Sequence, residues 1–231
     1  NIMTKINLLE EIKNSYNKIS DNFNITRKNN WDDFNIFKKY LLDFKNKKIK
    51  ILDIGCGNGR LIKFLNELHL NYEYVGIDNS RMQIKNALKN FGNQKNVKFI
   101  EADALAIPFN NNEFDLIFCI ATFHHLPSFE NKNNALREMR RVLKDGGLIF
   151  MTNWNLFQKK YILNTIKNLR NDFIPWKNNK GEILASRYYY AFTKRELENI
   201  FLKNNFQILE NNFSENKNFL QAKNIISIIK K

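Results

Sequence analysis

The chain has 231 residues, 43% hydrophobic and 26% charged, enough for one α/β domain with a sizeable core and too few for two full domains. Its 37 Lys and Arg against 23 Asp and Glu give a formal net charge of +14 and a pI near 9.7. That suits a polyanionic partner, or equally a solvated basic surface set by codon bias in an AT-rich genome.

Two cysteines, Cys56 and Cys119, make no CxxC pair and no zinc spacing, and their apolar contexts read as small buried residues. No segment has the pattern of a secretory leader or the length of a bilayer span. The expectation is a cytoplasmic protein with no metal and no membrane attachment.

Ile12, Tyr16 and Ile19 are spaced to share one face of an N-terminal helix, and a polar segment follows from Ser20 to Asn30. A second helix is predicted from Trp31, with Asp32 and Asp33 in its first turn and Phe34, Phe37, Leu41 and Phe44 apolar. From Lys48 the pattern becomes βαβ. Strands are predicted at 49–54, 72–77, 97–100, 114–120 and 148–153. Between the first two lies a helix carrying Leu61, Ile62, Phe64, Leu65 and Leu68, and between the next two a helix opened by a Ser80/Gln83 capping box. A further helix with Ala135, Leu136, Met139, Val142 and Leu143 stops at Asp145-Gly146-Gly147.

Residues 155–187 read as basic helix and loop with no clear strand, and the sheet is expected to resume at 188–191. Thr193 and Glu196 form another capping box, and strands near 206–211 and 224–229 complete the fold. The whole predicts a single domain built on one doubly wound, mostly parallel sheet with helices on both faces. Its parts are an N-terminal helical cap (1–47), a cofactor-binding core (48–153), an acceptor-recognition insert (154–192) and a C-terminal completion of the sheet (193–231).

The chemistry concentrates at the strand ends. Gly55, Gly57 and Gly59 follow the first strand, so the backbone can approach a ligand and helix N–H groups stay free. Asp53 lies two residues before the first glycine. Asp78, followed by Asn79, ends the second strand, where a carboxylate can accept from both hydroxyls of a ribose. Asp103, followed by Ala104, stands at the same edge, where an acceptor can take an adenine amine. The spacing is Gly-x-Gly-x-Gly and lacks the pyrophosphate pattern, so a ligand with ribose and adenine but no phosphate fits better.

This combination resembles the class I S-adenosylmethionine-dependent methyltransferases over residues 48–153. The glycine motif, Glu101-Ala102-Asp103-Ala104, Phe114-Asp115-Leu116-Ile117 and Arg141-Val142-Leu143-Lys144-Asp145-Gly146-Gly147 stand in family order. The resemblance implies a Rossmann-like, seven-stranded sheet and S-adenosylmethionine as cofactor. It also implies Ile120 and Ala121 presenting backbone to the methionine part, and Leu105 or a neighbour packing on adenine.

After the fourth strand the chain reads Ile120-Ala121-Thr122-Phe123-His124-His125-Leu126, without the Asn/Asp-Pro-Pro-aromatic loop of exocyclic-amine methyltransferases and without a nucleophilic cysteine. His124 is a candidate base or substrate ligand, or a residue packed under the loop, and no proton-transfer role is assigned to it.

Outside the core, several segments carry a narrower resemblance. They are Tyr16 to Phe23, Thr26-Arg27-Lys28-Asn29-Asn30-Trp31, Asn153-Trp154, Phe173-Ile174-Pro175-Trp176-Lys177, and Ser186-Arg187-Tyr188-Tyr189-Tyr190-Ala191-Phe192. Together they are similar to the tRNA wobble-uridine methyltransferases that esterify 5-carboxymethyluridine. The chain departs from that family by lacking a Tyr and a Pro in the Thr26 segment and by Tyr190 in place of a histidine.

A carboxylate acceptor is already ionised and needs no base, only orientation. Arg27 and Arg187 are the candidate clamps, and Trp31, Trp154, Trp176 and Tyr188 to Tyr190 the candidate stacking faces for an anticodon-loop base. The resemblance further implies a small zinc-ribbon activator pairing as a heterodimer with the sheet edge at 97–100. Two alternatives remain: a small-molecule methyltransferase of quinone or fatty-acid type, and a catalytically silent RNA- or partner-binding adaptor.

Overall fold

The computed structural model describes residues 2–26 and 33–231; Arg27 and Trp31, both named above, lie outside the described residues. Helix α1 (Ile2–Thr26) buries Ile12 and Ile19 as the spacing predicts, but it does not end at Ser20. The polar residues of its last two turns bond to the body of the protein: Asn58 and Asn90 donate to Asn24 Oδ1, and Trp176 Nε1 donates to Asn22 Oδ1. Helix α2 (Phe34–Leu41) follows, burying Phe34, Phe37 and Leu41.

The core then alternates as expected: β1 (Lys48–Ile54), α3 (Leu61–Glu67), β2 (Asn71–Asp78), α4 (Arg81–Phe91), β3 (Val97–Glu101), β4 (Phe114–Ile120), α5 (Phe129–Val142) and β5 (Leu143–Trp154). β5 starts earlier than the sequence suggests. Leu143 already pairs with Phe114, and Asp145-Gly146-Gly147 forms an irregularity inside the strand, with Gly146 at φ +78°.

The remaining elements are α6 (Ile162–Lys167), β6 (Asn171–Lys177), β7 (Ile183–Tyr190), α7 (Lys194–Lys203), β8 (Gln207–Phe213) and β9 (Asn224–Lys230). β6 and β7 pair only with each other, as an antiparallel ribbon. The expectation of a strandless insert and of the sheet resuming at 188–191 is therefore corrected. Pro175, which donates no backbone hydrogen bond, is tolerated in such a two-stranded ribbon and obscures the strand signal in sequence.

The main sheet has seven strands in the order β3-β2-β1-β4-β5-β9-β8. β1 to β5 pair in parallel, and β9 runs antiparallel to both β5 and β8. Alternate residues of each strand face opposite layers. Leu52 and Ile54 pack with α5 and α7, while Ile49 and Ile51 pack with α2, α3 and α4. Chain direction across the sheet reverses between β1 and β4, which leaves a crevice beyond their carboxyl ends.

Candidate active site

That crevice is a cavity lined by residues from every element that ends there. At its floor the chain turns out of β1 with Gly55, Gly57 and Gly59 at φ +71°, +54° and +81°. A Cβ on Gly55 would sit 2.2 Å from Thr122 Oγ1, and one on Gly59 would meet Phe99 at 2.9 Å. Gly57 differs: its missing Cβ would have room, pointing between Phe23 and Gln83 at 3.6 and 3.9 Å. The first and third glycines are thus required by packing, and the second keeps the cavity open.

Two carboxylates flank the turn. Asp53 is buried and accepts from Tyr74 Oη at 2.6 Å. Burial raises its pKa to about 7 against the opposing effect of that hydrogen bond. Asp78 receives the Gly57 N–H at 3.0 Å on one oxygen and the Ser80 N–H at 2.8 Å on the other, and burial lifts it to about 6. Asn79, Asp103 and Ala104 line the same wall, with Asp103 Oδ1 taking the Leu105 N–H at 2.9 Å. Leu105 itself packs against the core and is absent from the cavity wall, whereas Ala102 and Ala104 are part of it.

The opposite wall begins at the end of β4. Ile120 and Ala121 line it, Ala121 at φ +51° with its N–H held by Thr152. His124 is buried, and its Nδ1 accepts the Trp154 N–H at 3.1 Å, which leaves the ring proton on Nε2. Burial keeps this imidazole neutral well below its ordinary pKa. Its basic lone pair is thereby engaged at the end of β5.

His125, which the sequence reading left unassigned, also faces the cavity. Its Nδ1 donates to the Tyr188 carbonyl at 2.6 Å and its Nε2 accepts from Tyr16 Oη at 2.7 Å. Burial lowers its pKa to about 3.

The ribbon contributes through period-two alternation. Arg187 and Tyr189 face the cavity. Tyr188 bonds to Asn171 and Pro127, and Tyr190 bonds to Glu196 beneath the Lys132 ammonium. Of the three tyrosines proposed as stacking faces, only Tyr189 lines the cavity, and its ring is already stacked on Trp154 at 5.0 Å and on His124 at 4.9 Å.

Arg187 is 6% exposed, its guanidinium 4.6 Å from the Trp176 ring, 5.2 Å from Tyr189 and 5.7 Å from Trp154. Its Nε has no hydrogen-bond partner among the described residues. Trp176 stacks beneath Arg187 and against Phe23, outside the cavity wall.

Helix α1 closes the cavity with Leu9, Ile12, Tyr16 and Phe23. The sequence did not single these out as lining residues, nor Gln83 and Thr122, although Tyr16 and Phe23 bound a quoted segment, Thr122 stands in the run after β4 and Gln83 in a capping box. Cys56 is in the wall but burial pushes its thiol up, and Cys119 is buried in the core.

The residues present fit S-adenosylmethionine. An open backbone cradle at Gly57 adjoins two carboxylates, the buried Asp53 and the half-buried Asp78, suited to hydroxyl donors and to a cationic sulfonium. When ionised, those carboxylates are favoured by a cation brought between them.

Known proteins were compared with this chain. A methyltransferase domain profile matches residues 52–151. An uncharacterized protein of Methanocaldococcus jannaschii is 31% identical over 216 residues, 86% of this chain and 77% of that protein. The tRNA (carboxymethyluridine(34)-5-O)-methyltransferase of Schizosaccharomyces pombe is 28% identical over 227 residues, 88% of this chain and 92% of that protein.

Among solved structures, a S-adenosylmethionine-dependent methyltransferase from Clostridium acetobutylicum superposes with a TM-score of 0.70 at 16% identity, covering 93% of this chain and 98% of the other. A chain from the complex between the Haloferax volcanii Trm112 methyltransferase activator and a methyltransferase gives 0.66 at 13% identity, covering 95% and 96%. The profile match runs from the middle of β1 to that of β5, the stretch that builds the donor half of the cavity. The chain therefore belongs to the class I S-adenosylmethionine-dependent methyltransferases, and S-adenosylmethionine is its methyl donor.

Proposed function

We propose that this enzyme methylates tRNA, esterifying the carboxylate of 5-carboxymethyluridine at the wobble position. The observation that carries the proposal is Arg187: a buried guanidinium facing the cavity, among aromatic faces, with no carboxylate bridged to it among the described residues. A buried cation set among ring faces, with its Nε unpartnered among the described residues, favours an anionic ligand, and the guanidinium fork suits a carboxylate. The name of the fission-yeast relative supports the same acceptor.

Bound S-adenosylmethionine supplies an electrophilic methyl group on a sulfonium. The chain has then to orient a carboxylate oxygen that is already ionised, and both cavity histidines stay neutral and engaged in hydrogen bonds, as such a reaction permits. Arg187 holds the acceptor, the half-buried Trp154, backed by Tyr189, offers an unstacked base a contact, and His124 fixes the backbone of Trp154. Arg27, outside the described residues, is proposed as a second anion clamp. β3 forms an edge of the main sheet, and a small zinc-ribbon activator is proposed to pair there, in line with the Haloferax complex.

Incubating the protein with labelled donor and total tRNA, with and without such an activator, tests the proposal. A base-labile methyl ester on a digested nucleoside is the expected product; label on no nucleoside under either condition overturns it. Arg187→Ala should lower kcat/KM for tRNA by about a hundredfold or more while donor affinity stays within about twofold. Equal loss of both would make Arg187 structural.

A small-molecule acceptor is the second reading. It is favoured by the exposed Leu163, Ile166, Leu169, Phe173 and Ile183 on the same insert as Lys159, Lys160, Lys167, Lys177 and Lys180. Turnover of a quinone-type acceptor without tRNA would select it.

A further inference from the structure

Helix α4 begins with a half-made capping box. Ser80 Oγ accepts the Gln83 N–H at 3.2 Å, but no return bond runs from the Gln83 side chain to the Ser80 N–H. Asp78 Oδ1 already takes that N–H at 2.8 Å. The Gln83 amide is thereby released into the cavity wall. The residue is 1% exposed, and neither Oε1 nor Nε2 has a hydrogen-bond partner among the described residues. Its Oε1 stands 3.9 Å from the position a Cβ on Gly57 would take, beside the N–H that Asp78 holds with its other oxygen.

Two unpaired amide atoms in the interior destabilise the free protein, and a ligand that pairs them removes that penalty. A loosely placed surface glutamine would instead be solvated. The position beside Asp78 and over the middle glycine identifies the ligand group.

We propose that Gln83 binds the ribose of the methyl donor, alongside Asp78. A vicinal diol presents two O–H donors and two acceptor oxygens. A carboxylate only accepts, so Asp78 takes hydroxyl protons and leaves the ribose oxygens without a donor. Gln83 Nε2 supplies that donor, and Oε1 adds an acceptor, so one amide group answers both a ribose oxygen and a hydroxyl proton. The inference concerns the donor, so it stands or falls separately from the identity of the acceptor.

The test is calorimetric titration of S-adenosylhomocysteine and its 2′-deoxy and 3′-deoxy counterparts into the wild-type chain and Gln83→Leu. The variant should bind S-adenosylhomocysteine about tenfold more weakly, and should discriminate against at least one deoxy compound less by a similar factor. Without ligand it should melt no lower than wild type, because it lacks two unpaired polar atoms; a residue that merely fills space gives the opposite sign. Unchanged affinity, or equal losses for ribose and deoxyribose compounds, overturns the proposal. Should Gln83→Leu fail to fold, Gln83→Met carries the same comparison. A lowered melting point in both variants marks a packing residue and also overturns it.

Discussion

Asp53 is buried and Asp78 half-buried in the cavity wall, and the free protein favours their protonated forms. Their pKa values rise from 3.8 to about 7 and about 6, so between about pH 4 and 7 the folded chain binds more protons than the unfolded one. The stability they contribute is full below the unfolded pKa and is lost as pH rises through the folded pKa. Asp53→Asn keeps an acceptor for Tyr74 and removes one of the two titrations. Its stability relative to wild type should therefore increase between pH 4 and pH 8 by about 2–4 kcal/mol, read from denaturant unfolding at each pH. A pH-independent difference would mean that Asp53 ionises freely in the fold.

At this scale the legible residues were those whose role is set by backbone geometry. Gly55 and Gly59 stand at positive φ in the turn out of β1 and Asp78 at the end of β2, places that local pattern marks. The neutral state of His124 depends on Trp154, 30 residues on, and the aromatic box around Arg187 joins Trp154 to Trp176 and Tyr189 of the ribbon, and no local pattern carried either.

Among the elements, the βαβ core was legible because buried strands and amphipathic helices differ in period. The α7 capping box was also legible and is complete: Thr193 Oγ1 accepts the Glu196 N–H, and Glu196 returns to the Thr193 N–H at 2.9 Å. Thr193→Ala should cost about 1 kcal/mol in thermal unfolding, with donor affinity unchanged; no measurable loss would show the cap to be dispensable. The same pattern at Ser80 and Gln83 misled, since a carboxylate from β2 outcompetes glutamine for the first N–H. The end of α1 was misread for a related reason. Asn22 and Asn24 resemble loop residues until their partners, Trp176, Asn58 and Asn90, are in place. Polar composition reports solvent only where no other polar group is near.

For the molecule as a whole, charge and topology make separate statements. The doubly wound sheet determines where a ligand enters, and the net charge of +14 bears on what approaches. If RNA is the partner, log affinity should fall against log salt with a slope of about −0.7 for each phosphate neutralised on a single strand, measured by filter binding over a salt series. A flat line would assign the lysines to solubility alone. The order of the seven strands was legible only through resemblance, because nothing local shows that β9 inserts between β5 and β8.

Three successive residues of α1 link the halves of this molecule. Ser15 donates to the Ser186 carbonyl of the β6–β7 ribbon, Tyr16 to His125, and Asn17 accepts from Ser80 at the start of α4. One helical turn is thus a shared boundary, and its ordering entropy is a common cost. A ligand that stills it from either side lowers what the other must spend. Thermodynamic reciprocity then predicts positive cooperativity between ligands on its two sides, read as a lower Kd for one when the other saturates; equal Kd values would show the turn to be fully ordered beforehand.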